Sequence, residues 1–481
     1  MVFSSNIFLF FFLPIFLLAY FITPQKFRNY TLLLFSLVFY AYGAPDFVFL
    51  LIGECIVNYF LVKAMAAAKQ REMDSRKLPA FLCALSIILT LGMLLYFKYA
   101  NFLIDNLSSL CSWLGISQLS TLNSQLRRIA LPIGISFFTF QSLTYTLDVY
   151  RGVTPPSKKL TDYVLYIMMF PQLIAGPIVK YNTVAAQLVS RTSTMEDRAL
   201  GFYRFVIGLS KKVLIANTLA LYADQIFGMD YSGLSSGTAW IGILSYTMQI
   251  YFDFSGYSDM AIGLGKMMGF TFPENFNDPY TSRSITEFWR RWHITLGAFM
   301  KEYLYIPLGG NRRGTARTYL NLGIVFLCSG FWHGAAWNFV LWGAFHGFFI
   351  ILDRVFMLDV LKKIGKIPSV LLTFFIVNLG WVLFRVEGVA PVGSFYQALF
   401  AFRGGEFIQA DGQYWFTLAL ALLFSFLTLT KWGQKLQDAI FADHYSKGLS
   451  WVMFALCLVL LVLSAGALCV SDFNPFIYFR F

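Results

Sequence analysis

Long apolar segments recur along this chain from Asn6 to Val470, with no polar stretch of soluble-domain length between them. A helix needs about 20 mostly apolar residues to cross a bilayer, so we predict about a dozen spanning or half-spanning helices. The clearest spans are Asn6–Ile22, Ala44–Val62, Leu78–Phe97, Pro368–Phe384, Tyr414–Thr430 and Leu449–Val470. No positively charged segment precedes the first span and no small-residue cleavage site follows it. We therefore expect it to be retained and not removed as a signal peptide.

Charge also favours a membrane protein. Only 13% of the 481 residues are charged, against about 25% in an ordinary soluble domain. The net charge is +12, but the basic residues cluster between spans, as the positive-inside rule expects of cytoplasmic loops. We expect no nucleic-acid partner, and we expect the N-terminus, Glu406–Asp411 and the C-terminal tail to be extracytoplasmic. The four basic clusters are Lys63, Lys69, Arg71, Arg76 and Lys77; Arg312, Arg313 and Arg317; Arg354, Lys362, Lys363 and Lys366; and Lys431, Lys435 and Lys447.

The apolar pattern predicts one membrane domain, residues 1–481, with four zones. Residues 1–125 and 351–470 read as simple spans, and 471–481 form an aromatic tail. Residues 126–350 are richer in Gly, Pro, Trp, Arg, His and Asn, and polar groups at membrane depth mark function by default. Three segments in this zone predict re-entrant or broken backbone that lines a cavity: Leu131–Phe138, Phe170–Pro177 and Pro273–Tyr280.

His333 is the leading candidate for chemistry, because the chain has only four histidines. It lies in the segment Ser329–Asn338, where flanking glycines permit close approach of backbone or substrate. Trp332 and Trp337 would enclose the imidazole and limit water, and Asn338 ends the segment. Histidine titrates near neutral pH and can take a proton from an attacking hydroxyl. The competing interpretation is an interior histidine that hydrogen-bonds two helices together.

The other three histidines lie in different settings. If the segment Thr286–Leu296 is helical, Trp289, Trp292 and His293 share one face. The alternative for this segment is an interfacial Trp/Arg anchor. We expect His346 to serve helix packing and His444 to be solvated.

Two carboxylates interrupt the apolar segment Gln249–Met260, which also contains Tyr251. Asp253 and Asp259 need partners if they are buried, and we expect Arg283, Arg290 or a helix N-terminus to supply them. One interpretation is a polar wall of a substrate tunnel that includes Gln249, Tyr251 and Asp253. The other is a buried ion pair that orients helices.

The tail segment Asn474–Phe481 is open to two interpretations: an aromatic interfacial anchor, or a flexible arm whose Tyr478 hydroxyl enters an outer funnel. The sequence lacks a phosphate-binding GxxxxGK[ST] loop, a GxSxG nucleophile elbow and an HExxH zinc motif. Its six cysteines show no CxxC spacing. We therefore expect no bound metal or cofactor, and direct attack by an external hydroxyl, assisted by a histidine base, is the simplest remaining chemistry.

The middle zone resembles the membrane-bound O-acyltransferase (MBOAT) family, most of all its bacterial branch of alginate and peptidoglycan O-acetyltransferase membrane subunits. The sequence similarity covers nearly the whole chain, and Phe331-Trp332-His333-Gly334 is its most specific motif. The segments that carry it are Met1–Ser5, Leu131–Gly152, Phe170–Tyr181, Gln249–Met260, Asn275–Leu308, Ser329–Asn338 and Phe476–Phe481.

The resemblance implies an all-α protein with tilted, re-entrant and amphipathic helices around a thin central tunnel in a bacterial cytoplasmic membrane. An acyl thioester, expected to be acetyl-CoA, would enter from the cytoplasm and a hydroxyl acceptor from outside. His333 matches the family's catalytic histidine and His293 its second histidine. In bacterial relatives the acyl group is thought to pass to a tail tyrosine, here Tyr478, then to an SGNH-type partner and an exported glycan.

Three other functions stay open at this stage. The chain could be a transporter that only conducts an acyl donor, a scaffold whose partner does the chemistry, or a lipid or sterol acyltransferase. Consumption of a labelled thioester by the isolated protein separates the first from an enzyme. Activity that survives substitution of His333 would favour the scaffold.

Overall fold

The structure, a computed structural model, describes residues 2–70, 77–115, 128–174, 176–405, 407–471, 473–475 and 477. Its regular elements there are helices, with one isolated antiparallel bridge between Phe276 and Trp292. Arg71, Arg76, Glu406 and Tyr478 lie outside the described residues. The predicted all-α polytopic class is confirmed, while the number of spans and the central tunnel stay predictions.

The helices are α1 Leu13–Ile22, α2 Arg28–Gly43, α3 Val48–Gln70, α4 Lys77–Leu94, α5 Ala100–Trp113, α6 Ile135–Arg151, α7 Leu160–Met168, α8 Phe170–Leu173, α9 Tyr181–Val189, α10 Met195–Ser210, α11 Asn217–Phe227, α12 Ser236–Met267, α13 Ile285–Arg291, α14 Ile294–Phe299, α15 Thr315–His333, α16 Trp337–Leu352, α17 Leu358–Ile364, α18 Lys366–Arg385, α19 Val389–Phe400, α20 Gly412–Phe426, α21 Lys431–Ile440 and α22 Lys447–Val470. Wider π turns occupy Phe8–Phe12, Leu95–Tyr99, Lys211–Ala216, Met300–Tyr305 and Asp353–Met357, and 3₁₀ turns occupy Gln25–Phe27, Pro45–Phe47, Pro279–Thr281 and Leu427–Leu429.

Six continuous helical segments in the described residues are long and apolar enough to cross a membrane. Five overlap the spans predicted from the sequence, and the sixth, Met195–Phe227, was not among the clearest because glycines and charged residues interrupt it. The predicted first span corresponds to a shorter apolar helix, Phe8–Ile22. The six segments are Pro45–Gln70, Lys77–Trp113, Met195–Phe227, Lys366–Arg385, Gly412–Leu429 and Lys447–Val470.

The last of these helices has the surface of a lipid-facing element. Trp451 is 73% exposed and Val462 is 63% exposed. Large apolar side chains in such a continuous exposed face are rare on soluble monomers. In a bilayer they face hydrocarbon, and the helix satisfies its own backbone hydrogen bonds.

The chain divides into two compact units. The first comprises Leu13–Ile174 and Ile178–Arg191, and the second comprises Val2–Phe12, Ala175–Pro177 and the chain from Thr192 onward. In the first unit, a buried polar cluster links three helices: the Asn58 amide donates to the Tyr163 hydroxyl at 2.8 Å, and the Ser86 hydroxyl donates to Asn58 Oδ1 at 2.6 Å. The turn at Gly134 (φ 78°) packs on the Leu173 carbonyl so closely that a Cβ would lie 2.7 Å from its oxygen. Two of the predicted irregular segments therefore meet there.

Two glycine seams determine the helix packing of the second unit. Along α10 and α12, a Cβ on Gly201 would lie 2.5 Å from the Gly263 carbonyl oxygen, and one on Gly208 would lie 2.5 Å from that of Gly256. Along α15 and α16, a Cβ on Gly343 would lie 2.3 Å from the Phe326 oxygen. Small residues let helix backbones approach this closely in membrane proteins. The seams thus fix which side chains on neighbouring helices meet.

Candidate functional site

His333 is the last residue of α15, and the chain reverses through extended backbone at Gly334 and Ala336 before α16 begins at Trp337. The imidazole is 5% exposed. At Gly334 a Cβ would lie 2.1 Å from the Phe339 ring. Only glycine therefore fits beside the histidine at this reversal.

Aromatic rings surround the His333 imidazole. Its ring centroid lies 4.9 Å from that of Trp332, 5.0 Å from that of Trp342 and 5.1 Å from that of Phe384, each in an edge-on arrangement. Such rings exclude water, which strengthens electrostatic interactions at the imidazole. We call Trp332, Trp342 and Phe384 the aromatic jacket.

His293 lies in irregular backbone and not on a helix. α13 ends at Arg291, Trp292 is extended, and His293 adopts the left-handed conformation at φ 46°. The cause is pairing with the preceding segment, because the Ile294 amide donates to the Asn275 carbonyl at 2.9 Å and the Asn277 amide donates to that of Arg291 at 3.0 Å. The expectation that Trp289, Trp292 and His293 share one helical face is therefore wrong.

The Asn275 side chain organises the His293 ring. Asn275 Oδ1 lies 3.1 Å from His293 Nδ1 and accepts from the Thr295 hydroxyl at 2.9 Å, while the Asn275 amide donates to the Ser258 hydroxyl at 3.2 Å. With an acceptor at Nδ1, the neutral ring carries its proton there and a lone pair on Nε2. Within the described chain, Nε2 is buried and has no hydrogen-bond partner. It is therefore an unused hydrogen-bond acceptor among the described residues.

The structure brings both histidines to the same indole. The Trp332 ring centroid lies 4.9 Å from that of His333 and 6.1 Å from that of His293. Phe254, on α12, lies edge-on to His293 at 4.7 Å. Residues separated by forty positions in the chain thus share one apolar environment.

The remaining candidates occupy different positions around this centre. Trp292 is buried and its ring lies 4.9 Å from that of Trp381, whereas Trp289 lies 5.0 Å from His346. The Trp337 side chain is at the surface, 54% exposed. The others are buried: Asn338, whose amide donates to the Leu383 carbonyl at 3.2 Å, Gln249, and Tyr251, whose ring lies 5.2 Å from that of Tyr280.

His346 and His444 have the surroundings expected of them. The His346 ring is fully buried and packs on Trp342 at 5.0 Å, and a Cβ on Gly380 would contact its Nε2. The His444 ring is largely exposed, with Nδ1 3.1 Å from Glu196 Oε1.

Both predicted carboxylates are paired, but with cations other than those expected. Asp253 Oδ1 lies 2.8 Å from Lys212 Nζ, and Asp259 pairs with Lys211 at 2.7 Å and with Arg204 at 3.0 Å. The expectation of Arg283, Arg290 or a helix terminus as partner is therefore wrong. The glycine seam between α10 and α12 brings Arg204, Lys211 and Lys212 against α12. This packing is a tertiary property that the local sequence does not predict.

A basic cavity of about 550 Å³ lies at the other end of the α15–α16 hairpin from His333. Its cations come from the π turn Met300–Tyr305, from the turn before α15 and from the π turn after α16. The two ends of the 19-residue α15 are about 28 Å apart along the helix axis. The residues that line the cavity are Lys301, Tyr305, Ile306, Pro307, Gly309, Gly310, Asn311, Arg312, Arg313 and Arg354.

Trp342, Phe384, Trp381 and Asn275 are the site residues that sequence reasoning did not single out. Asn275 lay inside a segment recognised as irregular, so its polarity was a usable signal. Phe384 and Trp381 lie in what reads as a plain membrane span, and only the three-dimensional packing of α18 places them at the site.

Comparison with known proteins gives a consistent set of similarities. A sequence profile of MBOAT, the membrane-bound O-acyltransferase family, matches residues 9–360. The protein named "Probable alginate O-acetylase AlgI" of Pseudomonas putida is 42% identical over 499 residues, covering 100% of both chains. Peptidoglycan O-acetyltransferase of Helicobacter pylori is 39% identical over 425 residues, 81% of this chain and 78% of the relative. Teichoic acid D-alanyltransferase of Bacillus subtilis is 27% identical over 278 residues, 52% of this chain and 68% of the relative.

Proposed function

The chain belongs to the membrane-bound O-acyltransferase family, and from that premise we propose that this O-acyltransferase carries an acetyl group from a cytoplasmic thioester to an acceptor outside the membrane. The predicted family and enzyme class are confirmed. The final acceptor we propose is an exported polysaccharide, either an alginate-like exopolysaccharide or peptidoglycan. Relatives named for both substrates support that choice.

The enclosed position of His333 is the observation that carries the proposal. A thioester is already activated, so the protein must position the acceptor hydroxyl and take its proton. In the proposed step the hydroxyl oxygen bonds to the thioester carbonyl carbon and the C–S bond breaks. The hydroxyl proton passes through His333 to the departing thiolate. The aromatic jacket keeps competing water away from the thioester.

We assign His293 to positioning the acceptor. Its Nε2 can accept a hydrogen bond from the acceptor hydroxyl while Asn275 holds Nδ1. Trp332 is near both imidazoles and supports their use on one substrate. Trp289, Trp292, Trp337, Asn338, Gln249, Tyr251 and Asp253 stay proposed tunnel residues.

We propose acetyl-CoA as the donor and the basic cavity as the place that receives its phosphates. Lys301, Arg312, Arg313 and Arg354 give that cavity a cationic lining. Arginine forks suit phosphate oxygens. The basic clusters also support a cytoplasmic location for this end of the hairpin.

We propose a cytoplasmic-membrane location with both chain termini on the outer side. The described parts of the two termini support a shared side, because the Ser4 hydroxyl donates to Asn474 Oδ1 at 2.9 Å and the Asn474 amide donates to the Ser4 carbonyl at 2.8 Å. On that side Tyr478 would receive the acetyl group and pass it to an SGNH-type partner. The partner would then acetylate the glycan.

Substitution of His333 tests the chemistry. We expect His333→Ala protein in proteoliposomes to lose about 10²–10⁴-fold of its acetyl-CoA-dependent transfer, the contribution typical of a general base. The assay follows labelled acetyl groups, with His444→Ala as the control because His444 is largely exposed. Transfer by His333→Ala near the wild-type rate would refute the assignment. In cells, acetyl content measured separately in exopolysaccharide and peptidoglycan identifies the acceptor.

A further inference from the structure

A buried ion pair between Lys212 and Asp253 lies behind the C-terminal tail. The two charged groups are 2.8 Å apart and each side chain is 2% exposed. Removing both charges from water costs so much that a buried pair is weak evidence for stability, and an apolar replacement is often neutral or stabilising. We therefore expect the pair to have a role other than stabilising the contact between two helices.

Helix packing gives the pair its geometry. Gly208 and Gly256 are in backbone contact across α10 and α12, and Asp253 lies three residues before Gly256, on the same face of α12. Immediately after α10 the chain widens into the π turn Lys211–Ala216. Such π turns are frequent at functional sites. The Lys211 side chain pairs with Asp259, while that of Lys212 pairs with Asp253.

The same two charged groups bind the main chain of the tail. Lys212 Nζ donates to the Asn217 side chain at 2.7 Å and to the Pro475 carbonyl, while its charge pairs with Asp253. Asp253 Oδ2 accepts from the Ile477 amide at 2.9 Å. Lys212 thus binds the Pro475 carbonyl, and Asp253 binds the Ile477 amide two residues later.

Neighbouring contacts extend this attachment. The Asn217 amide donates to Asn474 Oδ1 at 3.2 Å, and Asn474 is further bound to Ser4. Ile477 is buried, with 3% exposure. Asp253 directly precedes Phe254, whose ring contacts that of His293 at 4.7 Å. The tail is therefore attached to the stretch of α12 that borders the histidine site.

We propose that Lys212 and Asp253 are positioning residues that seat the C-terminal tail, so that the residue after Ile477 is delivered to the acyl group. The next residue in the sequence is Tyr478. This inference rests on the proposed acetyl relay through Tyr478. It gives the ion pair a function in transfer from the membrane enzyme to its acceptor.

A paired apolar replacement tests the inference. We expect Lys212→Met/Asp253→Leu to stay monodisperse and to melt near the wild-type temperature, because no lone buried charge remains. Its transfer to the acceptor should fall at least about 10²-fold, the loss expected from two hydrogen bonds to charged groups. The control Lys266→Met/Asp443→Leu carries the same substitutions at a surface pair.

Seating of the tail is measured directly by carboxypeptidase digestion followed by intact mass. In the wild type, digestion should stall before Ile477, and in the double variant it should continue past Ile477. Wild-type digestion together with wild-type transfer in the double variant would overturn the inference. Slow digestion with lost transfer would also overturn it, because the tail would then be seated without the pair.

A second variant leaves the ion pair intact. Ile477→Pro removes the amide proton that Asp253 accepts and also fixes the backbone φ, and Ile477→Val controls for the change of side chain. We expect Ile477→Pro to lose transfer as the double variant does, and the valine variant to keep it. This comparison remains decisive if the double variant does not fold.

Tyr478→Phe separates this inference from the proposed function. If Tyr478→Phe transfers normally, the acetyl relay is wrong, and digestion still decides whether the pair seats the tail. If Tyr478→Phe is inactive but the double variant is fully active, the relay stands and the positioning role is wrong.

Discussion

The backbone of His293 is unusual for a residue with a side chain, because its φ of 46° lies in the left-handed region. Such conformations cost about 1–3 kcal/mol and persist where surrounding contacts determine them, often at functional sites. Here the contacts come from residues 275–277, which pair with 291–294. The strain thus aims the ring at Trp332 while Asn275 fixes its tautomer.

Replacement of Asn275 tests this arrangement. We expect Asn275→Ala to lower kcat for acetyl transfer about 10–100-fold, the loss typical when a supporting partner of a functional histidine is removed, with a small change in the donor KM. Asn277→Ala is the matched control, because the Asn277 side chain is exposed. Equal kcat values in the two variants would contradict the role of Asn275.

At this scale the sequence predicted His333 and His293 as the centre because histidine is scarce and the surrounding residues are polar, glycine-rich or aromatic. It could not predict Trp342 or Phe384 as neighbours of His333. Trp342 is a tryptophan in an apolar helix, which favours core packing, and Phe384 belongs to a different helix altogether. Their role depends on the α15–α16 reversal and on the placement of α18, which are tertiary properties.

Helices α15 and α16 meet through backbone contact, and this contact positions His333 at the reversal. The glycines that permit this contact are those with no room for a Cβ atom. A Cβ on Gly343 would lie 2.3 Å from the Phe326 oxygen, whereas a Cβ on Gly323 of α15 would have nothing within 4 Å. The two positions therefore respond oppositely to an added methyl group.

We expect Gly343→Ala to destabilise the protein by about 1–3 kcal/mol, as overpacking does in a tight core, and to reduce acetyl transfer because His333 shifts. Gly323→Ala should be neutral or slightly stabilising, since alanine favours helix. Thermal unfolding in detergent, followed by the transfer assay, measures both effects. Similar melting temperatures for the two variants would show that the helices separate easily.

Periodicity and length predicted the lipid-facing helices well, because their exposed apolar faces are a property of local sequence. They failed at Thr286–Leu296, where a helix was expected through His293. The helical pattern there is real up to Arg291, and pairing with Asn275 and Asn277 ends it. Such pairing joins segments about twenty positions apart, and it does not appear in the hydrophobic periodicity of either segment.

The two ends of the α15–α16 hairpin differ in charge. The basic cavity contains four cationic side chains, and the His333 end is enclosed by aromatic rings. A donor with a phosphate-bearing end and an apolar reactive end matches this polarity. The prediction that residues 1–481 form a single membrane domain, with a catalytic core at residues 126–350, stays a prediction.

We expect Arg312→Ala/Arg313→Ala to raise the KM for acetyl-CoA about tenfold or more, since each charge-assisted hydrogen bond contributes about 1.5–3 kcal/mol, with kcat nearly unchanged. The KM of the wild type should also rise with salt, and that of the variant should rise less. Lys362→Ala/Lys363→Ala is the control, because these lysines lie outside the cavity. An unchanged donor KM in the arginine variant would place the phosphates elsewhere.

The hydrogen bond between Ile477 and Asp253 joins residues 224 positions apart. The entropy lost on closing such a loop grows with its length, by about 0.6 kcal/mol for each doubling, and contacts of this range form only after that loss has been met. The helical body can therefore assemble in the bilayer before the tail docks. We therefore expect folding to enclose the histidine centre first and to attach Ile477 to Asp253 last.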